Sequence, residues 1–181
     1  TEDMEWSNNR RLVNKTITDG VTSQARAWAY EYDEHGQRTR SISPSGLETT
    51  SAYHAVYHDQ MTSITNPSGT VSFEYNANGD LTKITDQIGA ETNFAVDPYG
   101  NRTSKTDALG NTTQYQYNSL GQLTKVVDAL NNEWSYQYDV ANNLVSQTSP
   151  LGLTTSFEYD YRGQVTKTTL PDGSTIESSY D

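Results

Sequence analysis

A tyrosine-centred pattern recurs along the chain and constrains its fold more than any other feature. Fifteen-residue segments that begin at Tyr75, Tyr117 and Tyr159 are nearly alike and lie 42 residues apart. The underlying period is half as long, because anchor residues (seven tyrosines and one valine) recur every 21 or 22 residues, at positions 32, 53, 75, 96, 117, 138, 159 and 180. Such regular spacing predicts a chain built from one small repeated unit.

The repeat is less regular at the start of the sequence. Trp6 with Ser7 resembles one more anchor, and a longer second turn is predicted around Asp19-Gly20. We therefore divide the chain into a degenerate N-terminal repeat, residues 1–25, and a repeat array, residues 26–181. The array begins and stops within the pattern, which we interpret as a segment of something longer.

The composition is unusual for a folded domain. Leu, Ile, Val and Phe supply 30 of 181 residues and the formal net charge is −11, values typical of disorder. However, 13 Tyr and 3 Trp add bulky apolar area that this count omits, and the turn signals are too regular for a disordered chain. The absence of cysteine excludes a disulfide scaffold and thiol chemistry. The acidic balance argues against a nucleic-acid partner, and no apolar stretch is long enough to predict a membrane span.

Each repeat contains two turn signals about ten residues apart. The first follows the anchor, as in Asp33–Gly36 and Asn118–Gly121, and the second is typified by Asp107–Gly110. Asp, Asn or Ser at the first position and Gly at the fourth are typical of a type I turn closed by a left-handed residue, the usual hairpin loop with a glycine bulge. The predicted structural glycines are Gly36, Gly46, Gly69, Gly79, Gly89, Gly100, Gly110, Gly121, Gly152, Gly163 and Gly173.

The segments between turns alternate with period two, which indicates β-strands. Connections this short require antiparallel neighbours, so the sequence predicts one hairpin per repeat and roughly 16 strands. If each first turn sets the pairing, Tyr32 faces Arg38 and Tyr30 faces Arg40. By the same rule Tyr75 faces Leu81, and Phe73 faces Lys83.

The predicted fold class is all-β: an antiparallel meander of hairpin repeats of about 21 residues that forms a curved single-layer sheet. Open twisted sheets rarely exceed about ten strands without curling, and no helices are predicted to cover a face. A β-propeller would require an odd/even difference between repeats, and none persists along the sequence. A calcium-binding β-roll would require Gly-Gly-x-Gly-x-Asp units, which are absent.

The repeat resembles the YD repeats of bacterial Rhs proteins, which also occur in ABC-toxin C components, wall-associated proteins and teneurins. The segment from Thr106 to Lys125, TDALGNTTQYQYNSLGQLTK, is close to the family pattern, and the resemblance covers about residues 26–181. His54–Tyr57 lacks the turn glycine and Val96 replaces the tyrosine. The resemblance implies a strip of the wall of a β-cage, secreted or at the bacterial cell surface, that encloses a C-terminal toxin or effector. Its partners would be the remaining repeats of the parent chain and the enclosed polypeptide.

Residues that would support catalysis or metal binding are better explained by turns. Asp86, Asp107 and Asp128 share one repeat position and would suit a calcium ladder, but each is also the expected first residue of its turn. His54 and His58 would lie about 13 Å apart on a strand, too far to share a metal unless the chain folds back there. Asp97-Pro98-Tyr99-Gly100 resembles the Asp-Pro-x-Gly of the family's self-cleaving core, but it occupies an ordinary first turn. We therefore expect no catalytic residue, metal or cofactor, and no enzymatic activity.

The aromatic positions offer an alternative function of a different class. Rows of Tyr and Trp are a plausible platform for sugars, and the resemblance implies a possible cell-surface glycan partner. A surface adhesion or carbohydrate-binding module is therefore the alternative hypothesis. Its candidate residues are Tyr115, Tyr117, Trp134, Tyr136, Tyr138, Phe157 and Tyr159.

Overall fold

The chain folds entirely as β-strands joined by tight turns. The computed structural model describes residues 1–22 and 24–181 and contains 17 strands over that part of the chain. Their bounds are β1 Glu2–Trp6, β2 Leu12–Thr18, β3 Ala25–Tyr32, β4 Arg38–Ile42, β5 Glu48–Tyr53, β6 Met61–Asn66, β7 Gly69–Tyr75, β8 Leu81–Thr85, β9 Glu91–Val96, β10 Arg102–Thr106, β11 Thr112–Tyr117, β12 Leu123–Val127, β13 Glu133–Tyr138, β14 Leu144–Thr148, β15 Thr154–Tyr159, β16 Val165–Thr169 and β17 Thr175–Glu177.

The strands form two compact units, Thr1–Thr92 and Asn93–Asp181. In the first unit each strand from β1 to β8 pairs antiparallel with the next one along the chain. In the second unit the same holds from β9 to β17. The predicted all-β antiparallel meander is confirmed, with 17 strands where the sequence suggested roughly 16. The division at residue 25, which falls at the start of β3, remains a prediction.

The sheet has no buried core. Within residues 1–22 and 24–181 no side chain is fully buried, and most strand residues are half-buried. A sheet covered by nothing on either face shields its side chains only by packing them against cross-strand and diagonal neighbours. Each unit is therefore a single layer whose stability comes from contacts between adjacent strands.

Tight turns fix the two ends of each strand. In the turn from Asp107 to Asn111, Gly110 N donates to Asp107 O at 3.0 Å and Asp107 N donates to Asn111 O at 3.0 Å. This is the predicted type I turn with a left-handed fourth residue, and all eleven predicted glycines have positive φ. Asn131 and Asn142 adopt the same conformation where glycine is missing, as asparagine tolerates it best among non-glycine residues.

One second turn differs from the prediction. Asn66 pairs directly with Gly69, so β6 and β7 are joined by the two residues Pro67 and Ser68 alone. Ser68 N donates to Asn66 Oδ1 at 2.8 Å. Gly69 thus begins a strand at φ 128°, whereas the other turn glycines lie between 74° and 90°.

The register after each first turn was predicted only in part. Tyr32 pairs with Arg38 as expected, but Tyr30 pairs with Ser41 where Arg40 was predicted. The strand pairing shifts by one residue between Glu31 and Tyr32, so that β4 carries one extra residue. This is a β-bulge in addition to the one at the turn glycine.

The register between β7 and β8, two hairpins further along the chain, differs from the prediction in the same way. Tyr75 pairs with Leu81 as predicted, but Phe73 pairs with Ile84 and Glu74 with Lys83. The extra residue is Thr82, whose Oγ1 donates to the Glu74 carbonyl at 3.1 Å. The bulge moves the lysine onto the face opposite the aromatic residues.

The N-terminal segment forms the same kind of hairpin. Arg10 N donates to Ser7 O at 2.9 Å and Ser7 N donates to Arg11 O at 2.8 Å. Arg10 takes the left-handed position with φ 58°. The turn after Trp6 therefore has the geometry of the first turns in the array.

Candidate functional site

The anchor tyrosines tie each hairpin to the one before it. Each hydroxyl donates to a backbone carbonyl 14 to 20 residues upstream, at the start of an earlier strand, over 2.7–3.1 Å. The pairs are Tyr32–Leu12, Tyr53–Arg38, Tyr75–Met61, Tyr117–Arg102, Tyr138–Leu123, Tyr159–Leu144 and Tyr180–Val165. Val96 stands at the anchor position without a hydroxyl. The anchors are therefore positioned as structural ties.

Partial burial raises the pKa of two of these phenols. Desolvation is the main cause that raises the pKa of Tyr75, with a smaller contribution from the Asp59 carboxylate. Desolvation likewise raises the pKa of Tyr117. A phenol that must donate to a carbonyl has to keep its proton, and burial disfavours the phenolate. Burial therefore helps Tyr75 and Tyr117 to keep the proton that each donates.

The carboxylates at the start of the turns accept hydrogen bonds from residues of the same turn. Asp107 Oδ1 accepts from Leu109 N and Asn111 N at 2.9 Å each, and Oδ2 accepts from Asn111 Nδ2 at 2.9 Å. Asp128 makes the same contacts with Leu130 and Asn132. We call this arrangement the Asp–Asn clasp, and it also forms at Asp97 with Asn101 and at Asp139 with Asn143. Asp86 accepts from two backbone amides.

The clasp lowers the pKa of its carboxyl groups. The side-chain amide of the asparagine is the largest cause that lowers the pKa of Asp97, Asp107, Asp128 and Asp139, with backbone N–H donors adding to it. Hydrogen bonds to the charged form favour that form. These carboxylates are therefore ionised turn caps, and the geometry gives each a role without a metal ion.

The seven candidate aromatic residues share one face of the second unit and are half-buried. Val126 lies opposite Tyr115 on one side and Trp134 on the other. Tyr136 lies opposite Gln147, and Phe157 lies opposite Thr168. The aromatic residues are thus interleaved with aliphatic and polar ones, and no continuous stack of rings runs across the strands.

A cleft of about 1080 Å³ lies beside two of these residues. Its walls include Tyr115 and Tyr117 together with Asp97, Tyr99 and Asn101 from the neighbouring first turn. Tyr99 is 89% exposed. Here aromatic rings and polar groups share one surface, as the glycan hypothesis requires.

In each unit, the face opposite the strand aromatic residues carries a charge cluster in every second hairpin. Arg40 contacts Glu31 and Glu48 at 2.7 Å each, and Lys83 contacts Glu74 at 3.3 Å and Glu91 at 2.8 Å. Lys125 and Lys167 occupy the same position with Glu133 and Glu158. In the hairpins between them the position is serine, at Ser63, Ser104 and Ser146.

This alternation corrects the sequence interpretation that no odd/even difference persists. The bulge places Lys83 on the face opposite the aromatic residues, whereas the register expected from the sequence paired it with Phe73. The true structural repeat on this face is two hairpins, which explains the 42-residue likeness of the segments at Tyr75, Tyr117 and Tyr159.

The three histidines lie in two neighbouring first turns. The irregular segment after Tyr53 does fold back: His54 N donates to Gln60 O at 2.8 Å, and His54 Nδ1 accepts from Val56 N and Tyr57 N at 3.1 Å each. His54 thus takes the place of the usual Asp or Asn. The His58 ring stacks on His35 with 3.5 Å between centroids.

Residues 1–22 and 24–181 contain no group of three or more His, Cys, Asp or Glu side chains placed to hold a metal ion. Over the same described residues, no helix has the length and apolar character needed to cross a membrane.

Comparison with known families decides what this repeat is. The RHS Repeat family model matches residues 57–90, 96–133, 117–152 and 138–175, which together span more than half of the chain. The chain belongs to the RHS repeat family. Each RHS match covers three complete strands and at least one anchor residue. The sequence matches none of the curated proteins at a significant level.

Solved structures show the same RHS fold. The crystal structure described as TcdB2-TccC3-Cdc42 is similar with a TM-score of 0.73 and 13% identity, over 95% of this chain and 11% of that chain. The crystal structure described as TcdB2-TccC3 without hypervariable C-terminal region gives a TM-score of 0.71, also with 13% identity, 95% and 11% coverage. The RHS chain thus spans about a tenth of the length of these neighbours, and the likeness establishes the fold.

The RHS features found here explain what the family pattern encodes. The tyrosine supplies the tie to the preceding hairpin, and the Asp or Asn that follows it caps the first turn. The chain is a structural RHS repeat segment. Sequence reasoning found the anchors, the turns and the candidate aromatics, but missed the tyrosine–carbonyl bonds and the alternating charge clusters.

Proposed function

We propose that this chain is a non-catalytic length of wall in an Rhs-type shell that encloses a C-terminal toxin or effector polypeptide. The observation that carries the proposal is the RHS repeat match together with a fold similar to TcdB2-TccC3 complexes. One of those structures is described as lacking a hypervariable C-terminal region. By analogy, the parent of this chain would carry a variable cargo after its repeats.

The architecture supports a wall better than a catalytic domain. A single-layer meander can be extended along its strand-stacking direction without limit, since each hairpin needs only its neighbours. Both faces carry polar side chains, and the turn carboxylates are committed to turn caps. The chain would act by containment, outside the producing cell or at its surface, with the remaining repeats of the parent as its partners.

The test uses the parent protein that contains this segment. It is purified under native conditions by size exclusion, treated with protease, then denatured, and the masses of its pieces are measured. A C-terminal piece that resists protease and separates from the repeats only on denaturation supports the proposal. A single chain whose C-terminal part is digested as fast as the isolated part would overturn it.

The glycan-binding alternative has one supporting observation, the cleft beside Tyr115 and Tyr117. Aromatic faces next to an asparagine and a carboxylate suit a sugar ring, with its apolar face and hydroxyl edge. The test is a glycan array with the wild-type chain and Tyr115→Ala. Binding that the variant loses would favour this function over containment, and an array without a hit would remove it.

A further inference from the structure

The three histidines of the chain are concentrated in two neighbouring first turns of the first unit. His35 is the third residue of the turn Asp33–Gly36, and His54 and His58 lie in the next first turn, between β5 and β6. Strands β3 to β6 pair in consecutive order, so the two turns lie at the same edge of the sheet, about 10 Å apart. The other first turns contain no histidine and still close, so turn formation does not require this residue type.

An enlargement of the second of these turns brings two of the histidines into contact. The first turn at Asp33 closes over five residues, with Asp33 N donating to Gln37 O at 3.0 Å. The next one closes over seven, with His54 N donating to Gln60 O at 2.8 Å. The two extra residues give His58 the reach to cross to the neighbouring turn. Its ring stacks on His35 with 3.5 Å between centroids and 12° between the ring planes.

The nitrogen atoms of the two stacked rings are available to a ligand. His54 uses Nδ1 to accept from Val56 N and Tyr57 N, at 3.1 Å each. The ring nitrogens of His35 and His58, by contrast, form no hydrogen bond within the part of the chain that the structure describes. His35 is exposed and His58 is half-buried, so an ion from solvent can reach the pair.

We propose that His35 and His58 bind one divalent transition-metal ion, of the group Zn²⁺, Ni²⁺ and Cu²⁺, which joins the two turns. Imidazole nitrogen is the commonest protein ligand for such ions. Two nitrogens bound to one tetrahedral ion at about 2.05 Å lie about 3.3 Å apart, close to the 3.5 Å that separates the rings. Stacked rings direct their nitrogens nearly parallel, so binding requires a side-chain rotation toward the ion, which exposed His35 can make.

The charges around the pair favour a cation on balance. Glu34 and Asp59 are exposed and adjoin the two histidines in the sequence, and the chain as a whole has a formal net charge of −11. An acidic surface raises the local concentration of cations. The Arg11 guanidinium, which lies beside Gly36, opposes this attraction. Because nitrogen ligands favour transition metals over Mg²⁺ and Ca²⁺, the histidines give the site its selectivity.

The site is open, with water in the remaining coordination positions. Among the residues that the structure describes, no group of three or more His, Cys, Asp or Glu side chains is placed to hold a metal ion, so two histidines are the protein's contribution. For the histidines, the sequence expectation weighed only His54 with His58, whereas the structure brings His35 and His58 together. This inference goes beyond the shell proposal and does not depend on an enclosed cargo.

The experiment is isothermal titration calorimetry of the 181-residue chain, without a histidine tag, with Zn²⁺ and separately with Ni²⁺. A buffer of about pH 7.5 provides neutral imidazole, as metal binding requires, and about 0.15 M salt screens diffuse attraction to the acidic surface. We expect one ion per chain with a micromolar dissociation constant. His35→Asn and His58→Asn should each weaken binding at least about tenfold, since removing a ligand should cost no less than removing a residue that only orients one. Asn78 occupies the place of His35 in another first turn, so asparagine suits that position.

His54→Asn is the matched control, because it makes the same substitution in one of the same turns and keeps an acceptor for the Val56 and Tyr57 amides. It should bind both ions as the wild type does. About a tenfold excess of Mg²⁺, which prefers oxygen ligands, should not weaken the binding. Zn²⁺ should also raise the midpoint of thermal unfolding of the wild type and of His54→Asn but not of the other two variants, because an ion bound to the folded turns stabilises them.

Circular dichroism checks that each variant folds, and His35→Ala or His58→Ala replaces an asparagine variant that does not. Four results would each overturn the proposal. They are a wild-type chain that binds neither ion saturably up to about 1 mM, variants at positions 35 and 58 that bind like the wild type, an equal loss of binding in His54→Asn, and displacement of the ion by Mg²⁺.

Discussion

The Tyr138 hydroxyl donates to the backbone carbonyl of Leu123 at 2.9 Å. Leu123 is itself the cross-strand partner of Tyr117, whose hydroxyl donates to Arg102 O at 3.0 Å. Where both anchors are tyrosines, each anchor is therefore paired with the residue to which the next anchor is tied. These bonds form a hydroxyl–carbonyl ladder, and each one links the end of one strand to the start of the strand that pairs with it, across two neighbouring hairpins.

Removing one hydroxyl from this ladder should destabilise the fold. Tyr138→Phe keeps the ring but loses the hydrogen bond and leaves the Leu123 carbonyl with one partner fewer, a loss of about 1 kcal/mol in the free energy of unfolding. Urea denaturation measures it. Tyr99→Phe is the control, since Tyr99 is 89% exposed, and equal effects of the two substitutions would contradict the ladder's role.

The Asp–Asn clasp should make stability fall at acid pH. The pKa of Asp107 lies below its ordinary value of 3.8, mainly because of the Asn111 side chain. A lowered folded-state pKa contributes stability that is fully present above the unfolded-state pKa and is lost as pH falls through the folded-state pKa. Unfolding free energy should therefore decline below about pH 4, in the range where these carboxyls titrate.

Replacing the amide donor tests the cause. Asn111→Ala should raise the pKa of Asp107 toward its ordinary value, and carboxyl carbon NMR shifts during an acid titration measure this directly. Asn132→Ala is the matched control, since it should raise the pKa of Asp128 and leave Asp107 unchanged. An Asp107 pKa that is the same with and without Asn111 would show that the clasp does not control it.

A glycine should improve the turn after Trp6. Arg10 has φ 58°, a conformation that costs a side chain with a Cβ about 1 kcal/mol. Arg10→Gly should therefore raise the unfolding free energy by up to about 1 kcal/mol, less the entropy that glycine adds to the unfolded chain. The reverse change at an open turn, Gly46→Ala at φ 77°, should lower it. Thermal melts of both variants, with opposite shifts expected, provide the comparison.

The His54 ring should act as a hydrogen-bond acceptor in its turn, a role that an Asn or Asp side chain can replace. His54→Asn keeps a side-chain acceptor for the amides of Val56 and Tyr57, whereas His54→Leu removes it. We expect hydrogen exchange at these two amides to quicken about fivefold in the leucine variant, as a bond of about 1 kcal/mol implies. The asparagine variant should exchange as the wild type does. Unchanged protection in the leucine variant would rule out this role.

The sequence was sufficient for the elements that local chemistry determines. Asp107 and Gly110 encode a turn on their own, and the alternation through Trp134, Tyr136 and Tyr138 encodes a strand. The second bulge was not predictable in the same way, because threonine is common in regular strands. Only the structure shows that the Thr82 hydroxyl donates to the Glu74 carbonyl. That insertion decides the face on which Lys83 lies, and a separate shift of the same kind does so for Arg40, Lys125 and Lys167.

The candidate surfaces were predicted less well for a related reason. The aromatic residues were recognised by type, but their spacing across strands depends on the partners Val126 and Gln147, which the bulged register selects. The hydroxyl ties depend on reach between hairpins rather than within one. Such contacts join residues of two different hairpins and cannot be predicted from the sequence of one repeat alone.

The serine–lysine alternation sets a rule for how such a chain can change length. Because no core has to be repacked, whole hairpins can be gained or lost by recombination between repeats. Deleting one hairpin, however, would bring two lysine hairpins or two serine hairpins side by side and break the alternation. Deleting two would restore it. The unit gained or lost in this repeat family is therefore expected to be a block of about 42 residues, and relatives should differ in length by multiples of it.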